Sequence, residues 1–158
     1  MKKINAIGLH QDKAEELANK LNELLANYSI FYQNTRGFHW NIKGEKFFEL
    51  HLKFEELYND LLLKIDEVAE RILTLGHTPE HSYSQYAKTS TIKESKKVSD
   101  GLIAVEQILE GFKTTIVMQR EILALASDAN DEGTNALMSD YIGFQEKQVW
   151  MYSSFLKK

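Results

Sequence analysis

Residues 47–75 read FFELHLKFEELYNDLLLKIDEVAERILTL, a run in which apolar residues recur every three or four positions. This period predicts one long amphipathic helix from Phe47 to Leu75. Gly76 follows as a suitable C-cap, and Pro79 lies three residues further on, where the helix has already ended. Because Pro79 is the only proline among the 158 residues, we expect long uninterrupted helices throughout and an all-α fold.

A second long helix is predicted before this one, from His10 to near Trp40. Its apolar stripe repeats every three or four residues and consists of Leu17, Leu21, Leu24, Tyr28 and Phe31. The segment Asn41–Lys46, which contains Gly44, interrupts the pattern and predicts a turn between the two helices.

The chain after Gly76 begins with a polar stretch, His77–Ser95, that has no stable apolar stripe. We predict a long connection there, with a short helix at Ser84–Ala87. A third long helix is predicted at Lys97–Leu125, and a fourth at Glu132–Leu156 after a segment rich in helix-capping residues. The inward side chains of the third helix are expected to be Leu102, Val105, Leu109, Phe112, Ile116 and Ile122.

Two short connections on either side of a long one predict a four-helix bundle with a long crossover between helices two and three. This is the ferritin-like arrangement of an all-α bundle. A cytokine-like bundle needs two long crossovers, and the turn at Asn41–Lys46 is too short to be one. The length of the chain fits a single domain over residues 1–158.

The chain contains no cysteine, which excludes disulfides, zinc–cysteine modules and thiol catalysis. A bound metal would therefore have His, Asp and Glu ligands, a set that favours iron or manganese over structural zinc. The net charge of -4 is spread along the chain and argues against a dominant electrostatic attraction to nucleic acid. The sequence has neither a signal-peptide core nor a membrane-length apolar run, so we expect a soluble cytoplasmic protein.

Potential metal ligands form two pairs on the second predicted helix. His51 and Glu55 lie one turn apart, as do Asp66 and Glu70, so each pair projects from one face. The fifteen positions from His51 to Asp66 span about 22 Å of helix, which prevents one chain from bringing both pairs to one metal. The pairs are only about 60° out of phase around the helix, so both face the same side.

A two-fold axis near Asp60 and Leu61 would lay this helix antiparallel to its copy and join each pair to the partner's other pair. His39, just before the turn, is placed to join His51. Two imidazoles and three carboxylates suit ferrous iron and also tolerate ferric iron. Trp40, beside this site, is a candidate for intercepting a radical.

An alternative interpretation gives the same residues no role in metal binding. Asp66 and Glu67 are alternatively ordinary surface partners of Lys64 and Arg71. The chain also has no Glu-x-x-His pair, so the di-iron centre that such pairs build inside a single bundle is not expected. If these acids are only surface partners of lysine and arginine, the protein is a bundle without metal that acts only as a scaffold.

The potential ligands resemble the signature of the Dps family, the miniferritins. The matching residues are His39–Trp40, Gly44, Phe47–Phe48, His51 and Asp66–Arg71. The resemblance implies a hollow shell of twelve subunits that oxidises ferrous iron at two-fold interfaces, preferentially with hydrogen peroxide, and stores ferric mineral inside. Carried over by position, His39, His51 and Glu55 would bind iron together with Asp66 and Glu70 of the neighbouring subunit. Glu55 departs from the family pattern, which typically has aspartate there.

The resemblance also implies acidic pores at three-fold axes, through which iron enters the shell, near the start of the last helix. Asp128, Asp131 and Glu132 lie at that place, and helix capping is the alternative explanation for them. Some Dps relatives bind DNA through long lysine-rich tails. Only Lys2 and Lys3 stand before the first helix here, so tail-mediated DNA binding is not expected.

We therefore predict a cytoplasmic ferroxidase and iron-storage protein that protects against oxidative damage by removing iron and peroxide together. Its iron site would lie at the two-fold interface of a homo-oligomer. The alternative is a nucleoid-associated protein that compacts the DNA of starved cells and has secondary iron chemistry.

Overall fold

The computed structural model describes residues 3–158, and over this range it contains five α-helices. They are α1 (Gln11–Asn41), α2 (Phe47–Thr74), α3 (Tyr83–Thr89), α4 (Gly101–Asp128) and α5 (Glu132–Phe155). α1 packs mainly against α2 and α4 against α5, and contacts between α1 and α4 join the two pairs. The short α3 lies against α1. The predicted all-α four-helix bundle, with its long crossover between the second and third long helices, is confirmed.

The core lies between the four long helices. The apolar stripe predicted for α1 is buried along its whole length, and none of its members is more than 2% exposed. Phe31 packs its ring against Phe112 of α4, edge to face, with the ring centroids 5.3 Å apart. Gly111 allows this approach, because a Cβ atom at that position would lie 2.9 Å from the Phe31 ring.

A fully buried, uncharged hydrogen-bond network crosses the centre of the bundle. The hydroxyl of Tyr28 donates to the Gln119 side-chain oxygen and accepts from Gln145 Nε2 at 2.7 Å. Gln145 Oε1 in turn accepts from Thr115 Oγ1 at 2.8 Å and from Gln119 Nε2 at 3.0 Å. Burial raises the pKa of Tyr28, so this phenol stays neutral. The centre of the bundle is therefore held by amide and hydroxyl groups that satisfy one another.

Asparagine side chains of α1 hold the crossover against the bundle. Asn27 is buried, and its Oδ1 atom accepts from the backbone N–H groups of Thr91 at 3.1 Å and Ile92 at 3.0 Å. Asn22 and Asn34 lie before and after Asn27 on α1, and their side chains also form hydrogen bonds with the backbone of the crossover. A buried acceptor with several donors fixes the path of a segment that has little apolar surface of its own.

The end of α2 confirms the predicted C-cap at Gly76. Gly76 has a φ of +90°, which glycine adopts without steric penalty. Its N–H bonds to the Leu73 carbonyl at 2.9 Å, and the N–H of His77 bonds to the Ile72 carbonyl at 3.1 Å. These two bonds satisfy carbonyls that the last turn would otherwise leave without partners.

The start of α4 differs from the prediction. The helix begins at Gly101 instead of Lys97, because Lys97 has a left-handed φ of +56° and Asp100 caps the helix. The Asp100 side chain accepts from the N–H of Leu102 at 2.8 Å and of Ile103 at 3.1 Å. Leu102 was predicted to face inward and is 56% exposed, since the core face of this first turn belongs to Ala104 and Val105.

Over the part of the chain that the structure describes, no helix combines the length and the hydropathy that crossing a membrane requires.

Candidate metal centre

His39, in the last turn of α1, and His51, in the first turns of α2, stack face to face. Their ring centroids are 3.8 Å apart and the ring planes are inclined by 12°. The Nδ1 atom of His39 lies 2.6 Å from the carbonyl oxygen of His51, and the Nδ1 atom of His51 lies 2.7 Å from the carbonyl oxygen of His39. Because a carbonyl oxygen only accepts, each Nδ1 carries the hydrogen and donates it.

This exchange of hydrogen bonds leaves the Nε2 atom of each imidazole available to a further partner, such as a metal ion. With the hydrogen on Nδ1, the Nε2 atom of each neutral ring keeps its lone pair. Within residues 3–158 neither Nε2 atom has a hydrogen-bond partner. A backbone carbonyl that fixes the tautomer and orientation of a histidine is the usual support of a ligating imidazole.

The local fold explains why the two histidines meet. The carbonyl of His39 lies in the last turn of α1, where carbonyls lack partners within the helix, and the His51 ring supplies one. Gly44, with a φ of +118°, allows the tight turn between α1 and α2. The Phe47 ring stacks on His51 with centroids 4.9 Å apart and covers its other face.

Glu55 follows His51 by one turn and is half-buried. The Tyr58 hydroxyl lies 3.5 Å from Glu55 Oε1 and is the donor. Burial and the charge of Glu55 raise the pKa of Tyr58, so the phenol keeps its proton. The Tyr58 ring also meets the His39 ring edge to face, with centroids 5.3 Å apart. Tyr58 thus contacts two of the predicted ligands, and sequence reasoning missed it although it stands three residues after Glu55.

Asp66 and Glu70 are both exposed and lie one turn apart further along α2. The pKa of Glu70 is raised, first by a hydrogen bond with Asp66 and then by the charge of Asp66. Two carboxylates in such proximity favour a proton or a cation between them. Among residues 3–158 no lysine or arginine forms an ion pair with either carboxylate.

The alternative interpretation, in which Lys64 and Arg71 pair with Asp66 and Glu67, is wrong about these ion pairs. Lys64 turns to Asp60, with Nζ 2.6 Å from Oδ2, and its ammonium lies 4.3 Å from the Phe144 ring centroid. Arg71 turns to α5, where its Nη2 atom is 2.6 Å from Asp131 Oδ1. Lys64 thus pairs with Asp60 of its own helix and Arg71 pairs with the start of α5, so neither cation pairs with Asp66.

The structure brings His39 to His51 and Asp66 to Glu70, but it does not bring the two pairs together. Over residues 3–158 no three side chains of the His, Asp or Glu types are arranged to hold a metal ion. Each chain therefore presents two separate groups of potential ligands, one where α1 meets α2 and the other further along α2.

Exposed apolar side chains share the face of α2 that carries the ligands. Phe48 is 82% exposed, Leu63 60% and Leu62 48%. Leu52 and Leu73 are exposed on the same face. At about 100° of rotation per residue, these five positions fall within the sector that also holds His51, Glu55, Asp66 and Glu70. Several exposed apolar side chains on one helix face, interspersed with polar ones, are typical of a protein interface.

A groove of about 730 Å³ lies beside this face, between α1, α2 and the crossover. Its lining includes Tyr32, Trp40, Leu62 and Tyr83. Trp40 is 55% exposed, and the Arg36 guanidinium lies 4.8 Å from its ring centroid. Although Trp40 follows His39 in the sequence, its ring lines this groove and lies beneath the Arg36 guanidinium.

The three acids predicted to line a pore have different surroundings. Asp131 is buried and caps α5, where its side chain accepts from the N–H of Thr134 and pairs with Arg71. Capping thus accounts for Asp131, whose carboxylate does not reach solvent in this chain. Asp128 is exposed and pairs with Lys13 at 2.5 Å, which lowers the pKa of Asp128. Glu132 is exposed in the first turn of α5.

Comparison with known proteins agrees with this architecture. Residues 18–158 match the family model for the ferritin-like domain. The chain is 40% identical to the DNA protection during starvation protein of Porphyromonas gingivalis, with all of both chains covered. It is 58% identical to an uncharacterized protein of Haemophilus influenzae, over 94% of this chain and 93% of that one.

The solved structures include a Dps protein from Vibrio cholerae O1 that is 56% identical to this chain. The two superpose with a TM-score of 0.96 over 97% of this chain and 96% of the other. That protein is described as a member of a broad superfamily of ferritin-like diiron-carboxylate proteins. The ferritin-like arrangement predicted from the lengths of the helices is confirmed. This chain belongs to the ferritin-like domain family and, within it, to the Dps proteins.

Proposed function

We propose that this protein is a ferroxidase and iron-storage protein whose iron site is completed by two copies of the chain. The observation that carries the proposal is the separation of the candidate ligands into two groups, one at the junction of α1 and α2 and one further along α2. A prepared histidine pair stands at one end of an exposed face, and an unpaired carboxylate pair stands at the other. In the proposed site His39, His51 and Glu55 meet the partner's Asp66 and Glu70.

A two-fold axis across the middle of α2 satisfies both ligand sets at once. The midpoint between the His51–Glu55 pair and the Asp66–Glu70 pair falls at Asp60 and Leu61. An antiparallel copy of α2 about this point brings each pair opposite the partner's complementary pair and creates two identical sites. The exposed leucines at 62 and 63, next to the axis, would be buried by the same contact.

The ligand set suits oxidation of iron as a substrate. Ferrous iron accepts both imidazole nitrogen and carboxylate oxygen, and three carboxylates stabilise the higher charge of the ferric product. When hydrogen peroxide is the oxidant, two ferrous ions supply two electrons, and two protons complete two water molecules. Both electrons come from iron, so peroxide is consumed without release of a hydroxyl radical.

We further propose that twelve subunits form a hollow shell in which the ferric product is stored as mineral. The proposal rests on the likeness to Dps proteins over the full length of this chain. Asp128 and Glu132 are the remaining candidates for acidic groups at the pores, because their carboxylates are exposed. An acidic opening raises the local concentration of cations. The likeness also supports the proposal of a cytoplasmic location.

The direct test compares variants of the two ligand pairs. We expect His51→Ala and Asp66→Ala each to slow anaerobic ferrous iron oxidation by peroxide by at least about tenfold, because each removes a ligand. The matched control is Glu56→Gln, an exposed acid next to Glu55 that pairs with Lys53 at 3.1 Å and should keep the wild-type rate. Wild-type rates in both ligand variants would refute the site.

DNA binding by the N-terminal residues is not part of this proposal. Lys2 lies outside the described residues, and Lys3 belongs to a segment that folds back, with its carbonyl accepting from the Gln11 N–H at 2.9 Å. Asn5 joins this segment to the end of α2 through a 3.4 Å bond to the Leu75 carbonyl. We expect no shift of duplex DNA in a gel assay at moderate salt, whereas a shift that weakens steeply with salt would support the alternative.

A further inference from the structure

We propose that Tyr58 is a positioning residue for Glu55, and that its hydroxyl sets how tightly the proposed site binds metal. The inference rests on the proposed function, because Glu55 matters only if the site binds metal. It adds a residue that touches no metal itself and acts through the carboxylate it bonds.

The first observation is the contact between the two side chains on α2. Tyr58 stands three residues after Glu55, and its hydroxyl donates to Glu55 Oε1 across 3.5 Å. This distance is long for an O–H···O bond, so the hydroxyl directs the carboxylate without holding it rigidly.

The second observation is that the Tyr58 ring is fixed by α1. It meets the His39 ring edge to face at 5.3 Å and the Tyr32 ring in the same way at 6.0 Å. The hydroxyl is therefore a fixed point on the side of the histidine pair, while Glu55 is a flexible side chain. Groups that orient a ligating carboxylate commonly change metal affinity by about 10- to 100-fold when removed.

The third observation concerns the length of Glu55. Glutamate has one more rotatable bond than aspartate and loses more side-chain freedom when a metal fixes it. A donor within reach of the carboxylate restricts that freedom before binding. Aspartate at position 55 would retract the carboxylate by one methylene and move it away from the Tyr58 hydroxyl. The effect of the hydroxyl should therefore depend on which acid occupies position 55.

The test is a double-mutant cycle read out as metal affinity. Cobalt(II) binding to the full-length protein is measured by titration calorimetry for wild type, Tyr58→Phe, Glu55→Asp and the double variant. We expect Tyr58→Phe to weaken binding about tenfold in the wild-type background and by less than about twofold in the Glu55→Asp background. Phenylalanine keeps the ring, so packing against His39 is preserved. Tyr32→Phe is the matched control and should leave the affinity unchanged.

The outcomes separate this inference from the proposed function. An equal loss in both backgrounds would mean that the Tyr58 hydroxyl acts independently of the acid at position 55, and no loss in either would mean that the hydroxyl has no role; each result overturns the inference. If cobalt binding is the same in His51→Ala and Asp66→Ala as in wild type, the site itself fails, and the role of Tyr58 fails with it. Loss of binding in those two variants, together with the unequal effect of Tyr58→Phe, supports both.

Discussion

At the scale of single residues, the two histidines of the proposed site support each other. Each ring donates to the backbone carbonyl of the other residue, so the orientation of both depends on the turn that joins α1 to α2. Sequence spacing alone could predict that His39 returns near His51. It could not predict the mutual hydrogen bonds, because these depend on the geometry of that turn, which places residues twelve apart in contact.

The partners of charged side chains were harder to predict than the ligands. The alternative interpretation pairs Lys64 and Arg71 with Asp66 and Glu67, their neighbours on the same helix. In the structure Lys64 pairs with Asp60 one turn earlier and lies under the Phe144 ring, and Arg71 reaches across to Asp131 at the start of α5. The contacts with α5 could not be predicted from the pattern of one helix, and neither cation pairs with Asp66 or Glu70.

A substitution at Gly133 tests how rigidly the Arg71 side chain is fixed in its position. A Cβ atom there would lie 2.7 Å from Nη2 of Arg71, whose guanidinium is also bonded to Asp131 and Thr134. We expect Gly133→Ala to lower the free energy of unfolding by about 1–3 kcal/mol, measured by urea denaturation.

The control for this change is Gly143→Ala in the same helix, where a Cβ atom meets nothing within 4 Å. Helix propensity should make that variant more stable by about 0.5–1 kcal/mol. Equal effects of the two substitutions would contradict the account of Arg71.

At the scale of helices, sequence periodicity predicted the long elements well. The buried stripe of α1 and the limits of α2 follow from apolar spacing and a glycine cap. The start of α4 was not predicted correctly, because Lys97 adopts a left-handed conformation that the sequence does not indicate for a lysine. The crossover was predicted as a long polar connection, but the asparagines that hold it are polar residues on a helix, which a hydrophobic pattern does not distinguish from solvent-facing ones.

Asn27 is expected to be the strongest attachment of the crossover. Replacing it with alanine removes the acceptor for the backbone N–H groups of Thr91 and Ile92 and leaves these part-buried donors without that partner. We expect Asn27→Ala to lower the free energy of unfolding by about 2–3 kcal/mol, with faster proteolysis within the crossover.

Asn19, an exposed asparagine of the same helix, is the control for that experiment. Asn19→Ala should change the free energy of unfolding by less than about 0.5 kcal/mol. A comparable loss in the two variants would show that the crossover is not anchored as described.

At the scale of the whole molecule, the proposed site requires contact between two copies of the face that carries the ligands. Leu62, next to the proposed two-fold axis, is 48% exposed in a single chain. Leu62→Lys would place two ammonium groups near each other at the axis, so we expect dissociation of the dimer and loss of iron oxidation together. Light scattering after size exclusion measures the mass.

Leu62→Met keeps an apolar side chain of similar volume and should remain assembled and active. Retention of both assembly and activity in Leu62→Lys would place the contact elsewhere. The sequence predicted this two-chain arrangement from the spacing along one helix, whereas the exposed leucines that support it became visible only once the inward faces of the bundle were known.

The most direct test of the central claim mixes the two variants of the ligand pairs, His51→Ala and Asp66→Ala, each of which is expected to oxidise iron slowly. In a mixed dimer one site receives both defects and the other receives none, because each site takes its histidines from one chain and Asp66 from the other. With equal amounts and random pairing, the account predicts about one quarter of the wild-type rate of iron oxidation, well above the rate of either variant alone. A mixture that stays as slow as its components, with mixed dimers shown to form, would contradict a site shared between two chains.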